Sequence, residues 1–273
     1  MLKQAIIPLA GLGTRLLPLS SVTPKELLPI NGKVNLEHIM DECIEAGIKE
    51  FIFIISKKKE SIKKYFFNDH FYKSLLAKKK DKRINDTFKK LKKYQKMIKF
   101  VYQNKPRGTG DAILKCRKYI KSSHFLMLFP DDLIINKNCS KEMMTLHKKT
   151  KASIIATKTV KKETVGRWGI LSPKNIKNNY FTIDDVVEKP TIKNAPSNFA
   201  IIGRYILPKK IMHKLKRLKP GQGGEIHITD AIKKLILDGE IFYGNIFKGK
   251  YLDCGTLSGY INSGIQIAKE NKQ

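Results

Sequence analysis

Two cations and a run of small residues stand close together near the start of the chain. Ala10-Gly11-Leu12-Gly13-Thr14-Arg15 combines glycines with a guanidinium, and Lys25 follows between Pro24 and Pro29. Glycine backbone can adopt positive φ and approach a ligand closely. Successive N–H groups in such a turn form a nest for an anion, and the planar fork of Arg15 matches phosphate oxygens. The two prolines stiffen the chain around Lys25. These residue types suit phosphate binding, although a plain glycine turn with a surface arginine would look the same in isolation. Two commoner phosphate motifs are excluded. A dinucleotide fingerprint needs a third glycine where Leu16 stands, and a Walker loop needs a terminal Gly-Lys-Ser/Thr that this turn lacks.

Carboxylates suited to a hard cation come later. Asp131 and Asp132 follow the apolar run Phe125-Leu126-Met127-Leu128-Phe129-Pro130, and Asp253 follows Tyr251-Leu252. Oxygen ligands shared with phosphates are the setting of Mg²⁺. Adjacent residues of an extended chain point to opposite sides, so only one of Asp131 and Asp132 can meet a given ion. An Asp pair after a strand also fits turn chemistry. In Val186-Val187-Glu188-Lys189-Pro190, the carboxylate could hold sugar hydroxyls and the ammonium a phosphate; an exposed ion pair of little worth is the plainer alternative. Gln103 ends another apolar run and can donate and accept at a base edge. No Ser/His/Asp or Cys/His arrangement appears. Cys43, Cys116, Cys139 and Cys254 are dispersed, lack zinc spacing, and read as free buried thiols.

The elements that must carry these residues follow from the hydrophobic pattern. Ala5 to Leu9 reads as a buried first strand. Val34 to Ala46 repeats apolar residues at helical spacing and ends at Gly47. Phe51 to Ile55 is a continuous apolar run typical of a strand covered on both faces. Strand, helix and strand at this spacing form a βαβ unit, which implies a parallel sheet. Ligands of open parallel sheets lie beyond the carboxyl ends of the strands, where the Gly11–Arg15 turn falls. A second strand, glycine turn and helix run from Ile98 through Gly108 to a helix expected over residues 111–120.

Several motifs, taken together, resemble a known family. GLGTRLLP followed by PKELLP is similar to the signature of bacterial UTP–glucose-1-phosphate uridylyltransferases. Related glucose-1-phosphate thymidylyltransferases usually have Ser-Lys-Gln in place of Pro-Lys-Glu. YFFNDHFYKSLLAKKKDK resembles an insertion found in the uridylyltransferases and missing from the thymidylyltransferases. The resemblance extends from about Lys3 to Ile267. It implies an α/β fold: a Rossmann-like, mixed, mainly parallel sheet flanked by helices, of the nucleotide-diphospho-sugar transferase type. It further implies that UTP and glucose 1-phosphate react, with Mg²⁺, to give UDP-glucose and pyrophosphate. Leu9, Ala10, Gly11, Gly13, Thr14, Arg15 and Lys25 would bind the nucleotide, together with Gln103 and Gly108 at uracil. Asp131 and Asp253 would hold the metal. Gly169, Glu188, Lys189 and Gly203 would bind the sugar phosphate, with Arg15, Lys25 and Lys189 catalytic and Gly203 leaving room beside the sugar. One departure stands out. The family usually has Gly-Leu-Gly-His-Ala where this chain has Gly108-Thr109-Gly110-Asp111-Ala112, which adds a negative charge near the base.

Composition agrees with a globular enzyme. The 273 residues, 41% of them hydrophobic, allow one large α/β domain. No composition shift marks a boundary. A nucleotide half over about residues 1–135 and a sugar-phosphate half over about 136–273 are expected, with a basic helical insertion over about 57–97. The net charge of +30 raises the possibility of a polyanion partner. It is mostly lysine and spread along the chain, so solvated helix faces are the better reading and no dedicated nucleic-acid site is expected. Between Lys57 and Lys99, 17 basic residues face 4 acids, and the interspersed aromatics are expected to pack on the sheet edge. A thymidylyltransferase and a non-catalytic polyanion binder are the rival readings. No signal-peptide pattern and no apolar run of membrane-spanning length occur. A cytoplasmic homodimer or homotetramer without membrane contact is expected.

Overall fold

The computed structural model describes residues 2–270, apart from the side chain of Gln222. The first apolar run forms β1 (Gln4–Pro8), and the glycine turn leaves its carboxyl end. A small hairpin, β2 (Pro29–Ile30) and β3 (Lys33–Val34), leads into α1 (Asn35–Glu45). Leu36, Ile39, Met40 and Cys43 form the buried stripe of α1, as its spacing predicts. Gly47, at φ 95°, ends that helix in the left-handed conformation glycine favours. Next come β4 (Glu50–Ile55), the helices α2 (Glu60–Phe67), α3 (Asp69–Lys78) and α4 (Lys82–Gln95), and β5 (Ile98–Tyr102).

Helix α5 (Thr109–Lys115) is shorter than expected. Cys116 N–H bonds back to Ile113 instead of continuing the α pattern, and a 3₁₀ turn over Arg117–Tyr119 follows. Strands β6 (His124–Leu128) and β7 (Asp132–Ile135) are separated by the short loop that carries Asp131. The chain continues through α6 (Cys139–Thr150), β8 (Ser153–Thr159), β9 (Gly169–Lys174), β10 (Tyr180–Glu188) and β11 (Phe199–Pro208). It closes with α7 (Ile211–Arg217), α8 (Ile228–Leu237), β12 (Phe242–Ile246), β13 (Lys250–Asp253) and α9 (Leu257–Glu270).

Nine strands form one mixed sheet in the order β5-β4-β1-β6-β11-β8-β12-β10-β9. The parallel character lies in its first four strands and in the β8–β12 pair. Beyond β6 the remaining pairings are antiparallel. The cause is local: β9 and β10 are joined by a tight turn through Asn175, and long β11 runs back between β6 and β8. Side chains alternate across the sheet into two cores, Ala5 and Ile7 of β1 to one side and Ile6 to the other. Helices α1, α6 and the α2–α4 insertion cover the first face, and α5, α7 and α8 the second. Among the described residues, no helix is long and apolar enough to cross a membrane.

The insertion only partly follows expectation. Phe66 packs on Phe53 and Tyr94, and Phe67 on Phe100 at the sheet edge. Phe71, however, stays half exposed. One lysine of this stretch turns inward: Lys59 is buried against Glu26, its Nζ 2.7 and 2.8 Å from the two carboxylate oxygens.

Candidate active site

A cavity of about 900 Å³ opens beyond the carboxyl ends of β1, β5 and β6. Of the residues named from sequence, every one but Leu9 lines it: Ala10, Gly11, Gly13, Thr14, Arg15 and Lys25 on one side, Gln103 and Gly108 at one end, Asp131 and Asp253 in the middle, and Gly169, Glu188, Lys189 and Gly203 opposite. Leu9 points into the core, and its N–H is taken by the Ile54 carbonyl at 2.7 Å.

The glycine turn is lightly held. Gly13 has φ 72°, and its carbonyl accepts from Leu16 N–H at 2.9 Å and from Ser20 Oγ at 2.8 Å. A Cβ at Gly11 would meet no atom within 4 Å. The Arg15 side chain is 60% exposed and reaches Asp131 only at 3.6 Å. Lys25, by contrast, is fixed. Its Nζ lies 2.6 Å from Asp131 Oδ2, and its neighbour Glu26 is anchored by Lys59. Burial acts to lower the lysine's pKa, but Asp131 and Glu26 outweigh it and hold Lys25 above the ordinary lysine value. The same pairing overcomes burial at Asp131 and keeps that carboxyl below its usual range.

The acids are brought together by a two-stranded antiparallel ladder between β7 and β13, in which Asp132 faces Asp253 and Leu133 faces Leu252. Cys254 N–H adds a bond to the Asp131 carbonyl at 2.8 Å. Asp131 and Asp132 both line the cavity but take different partners. Asp132 accepts from Tyr251 Oη at 2.7 Å and from Gly203 N–H at 3.1 Å. Burial, with Asp131 nearby, pushes its pKa up to about 6. A Cβ at Gly203 would collide with the Asp132 carboxylate and stand 2.8 Å from Phe129 Cβ. The Cβ position of this glycine is therefore taken by Asp132 and Phe129, while its backbone still borders the cavity. Beneath the loop lies Arg204, fully buried. It pairs with Glu42 at 2.9 Å and donates to the carbonyls of Phe129, Asp132 and Gly203 at 3.3, 2.5 and 3.1 Å.

Asp131 and Asp253 also border a common space, with Asp131 Oδ2 engaged by Lys25 and Asp253 Oδ1 accepting from Gly255 N–H at 2.8 Å. A Cβ at Gly255 would stand 2.7 Å from Asp131 Oδ2, 2.8 Å from Arg15 Nη2 and 3.1 Å from Asp253 Oδ1. The two carboxylates and the guanidinium thus border one small space that a side chain would fill. Among the described residues, no group of three or more His, Cys, Asp or Glu could hold an ion. An ion here would complete its shell with waters or phosphate oxygens, which is the habit of Mg²⁺.

On the opposite side, Glu188 Oε2 accepts from Thr229 Oγ1 at 2.9 Å, and a Cβ at Gly169 would stand 3.2 Å from it. Lys189 is exposed to the cavity at φ 44°, and its N–H donates to the Trp168 carbonyl at 2.9 Å. For a non-glycine residue that backbone conformation costs about 1–3 kcal/mol, which the Trp168 bond and the flanking strand hold in place. Arg167 reaches Asp253 at 3.6 Å and lies over the Trp168 ring. At the far end, Gln103 Nε2 donates to Asp111 Oδ2 at 2.7 Å and to the Gly108 carbonyl at 3.2 Å.

Sequence reasoning missed Arg167, Arg204, Tyr251, Thr229 and the Glu26–Lys59 pair. A charged residue inside an apolar run was the available signal for Arg204, in Ala200-Ile201-Ile202-Gly203-Arg204-Tyr205-Ile206. The others carry no local signal, because their partners are distant in the chain.

The model of one family, described as nucleotidyl transferase, matches residues 4–270. A putative UTP–glucose-1-phosphate uridylyltransferase of Methanocaldococcus jannaschii is 33% identical over 270 residues, covering 99% of this chain and 94% of that one. The UTP–glucose-1-phosphate uridylyltransferase of Bacillus subtilis is 35% identical over 275 residues, covering 99% and 92%. Among solved structures, a UDP-glucose pyrophosphorylase complexed with UDP-glucose superposes with a TM-score of 0.87 at 32% identity, covering 99% of this chain and all of that one. A UTP-bound UGPase from Acinetobacter baumannii gives 0.85 at 29% identity, covering 99% and 94%. With its glycine turn, paired acids and lysines gathered on one cavity and matched along nearly its whole length, the chain belongs to the nucleotidyl transferase family.

Proposed function

We propose that this chain is a UTP–glucose-1-phosphate uridylyltransferase, joining UTP and glucose 1-phosphate into UDP-glucose with release of pyrophosphate. The observation that carries the reading is the convergence of Arg15, Lys25, Asp131, Glu188, Lys189 and Asp253 on one cavity. In this reading the nucleotide half is about residues 1–135 and the sugar-phosphate half about 136–273. The triphosphate rests on the N–H groups of the Gly11–Arg15 turn, with Arg15 beside it. Lys189 holds the phosphate of glucose 1-phosphate, and Glu188, oriented by Thr229, takes sugar hydroxyls. A phosphate monoester is largely deprotonated at neutral pH and needs no general base, so the chain's task is positioning and charge neutralisation. Asp131 and Asp253 hold Mg²⁺, whose chemistry is to neutralise phosphate charge. Lys25, now paired with Asp131, keeps a cation at the edge of the phosphate site. The bland alternatives are less economical: an exposed Glu–Lys pair would not need a lysine at positive φ beside a cavity.

A nucleotide panel tests the reading. Purified protein is given glucose 1-phosphate, Mg²⁺ and each of UTP, dTTP, CTP, ATP and GTP, and pyrophosphate release is followed. UTP should be the preferred donor. Preference for dTTP would make the chain a thymidylyltransferase, and no release with any nucleotide would remove the catalytic reading.

A further inference from the structure

We propose that Asp111 is a positioning residue that fixes which end of the Gln103 amide faces the nucleotide, and so selects uracil against cytosine. This rests on the nucleotide site proposed above. Gln103 and Asp111 are both largely buried, 6% and 7% exposed, and Gln103 lines the cavity end where a base would sit. A glutamine amide can present either its oxygen or its nitrogen, and turning it over interchanges an acceptor for two donors. Here the turn is blocked. Gln103 Nε2 faces Asp111 Oδ2 at 2.7 Å and the Gly108 carbonyl at 3.2 Å. A carboxylate and a carbonyl only accept, so both amide hydrogens are used and the oxygen is the end left for the ligand. The reversed amide would set its oxygen against two acceptors in a buried place, which is costly.

The lock is itself braced. Gly108 and Gly110 are pressed against Ile226: a Cβ at Gly108 would stand 2.6 Å from the Ile226 carbonyl oxygen, and Gly110 N–H donates to that oxygen at 2.7 Å. Lys115 Nζ lies 3.8 Å from the second oxygen of Asp111. The position of the acceptor pair therefore does not depend on a ligand. An amide oxygen aimed at the base accepts from the N3–H of uracil. Cytosine carries a lone pair at that nitrogen and would meet oxygen with nitrogen, no proton between. Thymine shares the N3–H of uracil, so this lock separates uracil from cytosine and leaves uracil against thymine to other contacts.

The test is equilibrium binding of UDP and CDP by calorimetry, which needs no turnover. The wild-type protein should prefer UDP by about 10²-fold, the cost of leaving a buried acceptor facing a group with no proton to give. Asp111→Asn keeps the size of the side chain but can meet either end of Gln103, so the preference should fall by roughly tenfold or more, the worth of one buried hydrogen bond. No preference in the wild type, or an undiminished one in an Asp111→Asn protein with native far-UV circular dichroism, overturns the proposal. Should that variant not fold, the side-chain N–H₂ signal of Gln103 in the wild-type NMR spectrum decides: slow hydrogen exchange before any nucleotide is added supports the lock, and exchange at the rate of free glutamine overturns it. A protein that prefers UDP, loses the preference on Asp111→Asn and makes no UDP-glucose would keep the lock and sink the catalytic reading.

Discussion

The two walls of the cavity are built differently. The glycine turn of residues 11–15 has few contacts: its arginine is mostly in water and 3.6 Å from its nearest acid. The acidic wall is over-determined. Asp132 has two donors, Asp131 is paired with Lys25, and Arg204 bonds three carbonyls around the loop from below. A phosphate nest needs only backbone N–H groups, which a polyphosphate can itself draw into place. Converging carboxylates repel and must be held by the protein before any ligand arrives. In the proposed reading the stiff wall would set geometry and the loose one would adapt to the ligand.

That contrast can be broken by mutation, and the largest effect should come from below the acidic wall. Arg204→Met leaves Glu42 buried without its partner and should lower stability by about 3–5 kcal/mol in urea denaturation; a loss under about 1 kcal/mol would show that the wall does not depend on this pair. Asp131→Asn should reduce turnover by about 10²–10³-fold, read as pyrophosphate release, and should also lower the urea midpoint, because it leaves buried Lys25 without its charge partner. Turnover within threefold of wild type would remove Asp131 from the reacting centre. Arg15→Ala and Lys189→Ala should each lose about 10²-fold in kcat/KM, and Arg15→Ala should leave stability within about 0.5 kcal/mol, as for an exposed residue. Full UDP-glucose synthesis by either folded variant would contradict the role given to that residue.

The smallest effect lies at the other end of β6, the strand leading to Asp131. Burial and the neighbouring His147 ring, 4.7 Å away, lower the pKa of His124 to about 4. A histidine whose folded value is below its unfolded value of about 6.5 supports the fold above pH 6.5 and loses that support as pH falls towards 4. Solvent screening at this half-exposed site holds the change to about 1 kcal/mol. Between pH 7 and pH 5 the melting temperature of His124→Asn should change less unfavourably than that of the wild type; equal changes in both proteins would place the titration elsewhere.

The parts of the molecule that were legible in sequence are those where a local pattern decides structure. Phe51 to Ile55 could only be a strand covered on both faces, and Leu36, Ile39, Met40 and Cys43 could only line one side of a helix. The antiparallel half was not legible, because the direction of a strand's neighbour is set by connections and not by the strand's own residues. That Asp131 and Asp132 would be held in different ways was expected from strand geometry alone. What holds them was not: Glu42 and Arg204 are 162 residues apart, and Glu26 and Lys59 are 33 apart. Asp111 in place of the usual histidine looked like a stray charge near the base. In the fold that charge is engaged by Gln103 and Lys115.

The ladder of β7 and β13 has a consequence for the life of the chain. Tyr251 reaches back 119 residues to Asp132, and Asp253 lies beyond it. During synthesis the amino-terminal strands can collapse onto their helices long before that partner exists. A chain still on the ribosome would hold the glycine turn and Lys25 without Asp253 and, earlier still, without the Ile226 brace under Gly108 and Gly110. It would become a working transferase only once nearly all of it had been made.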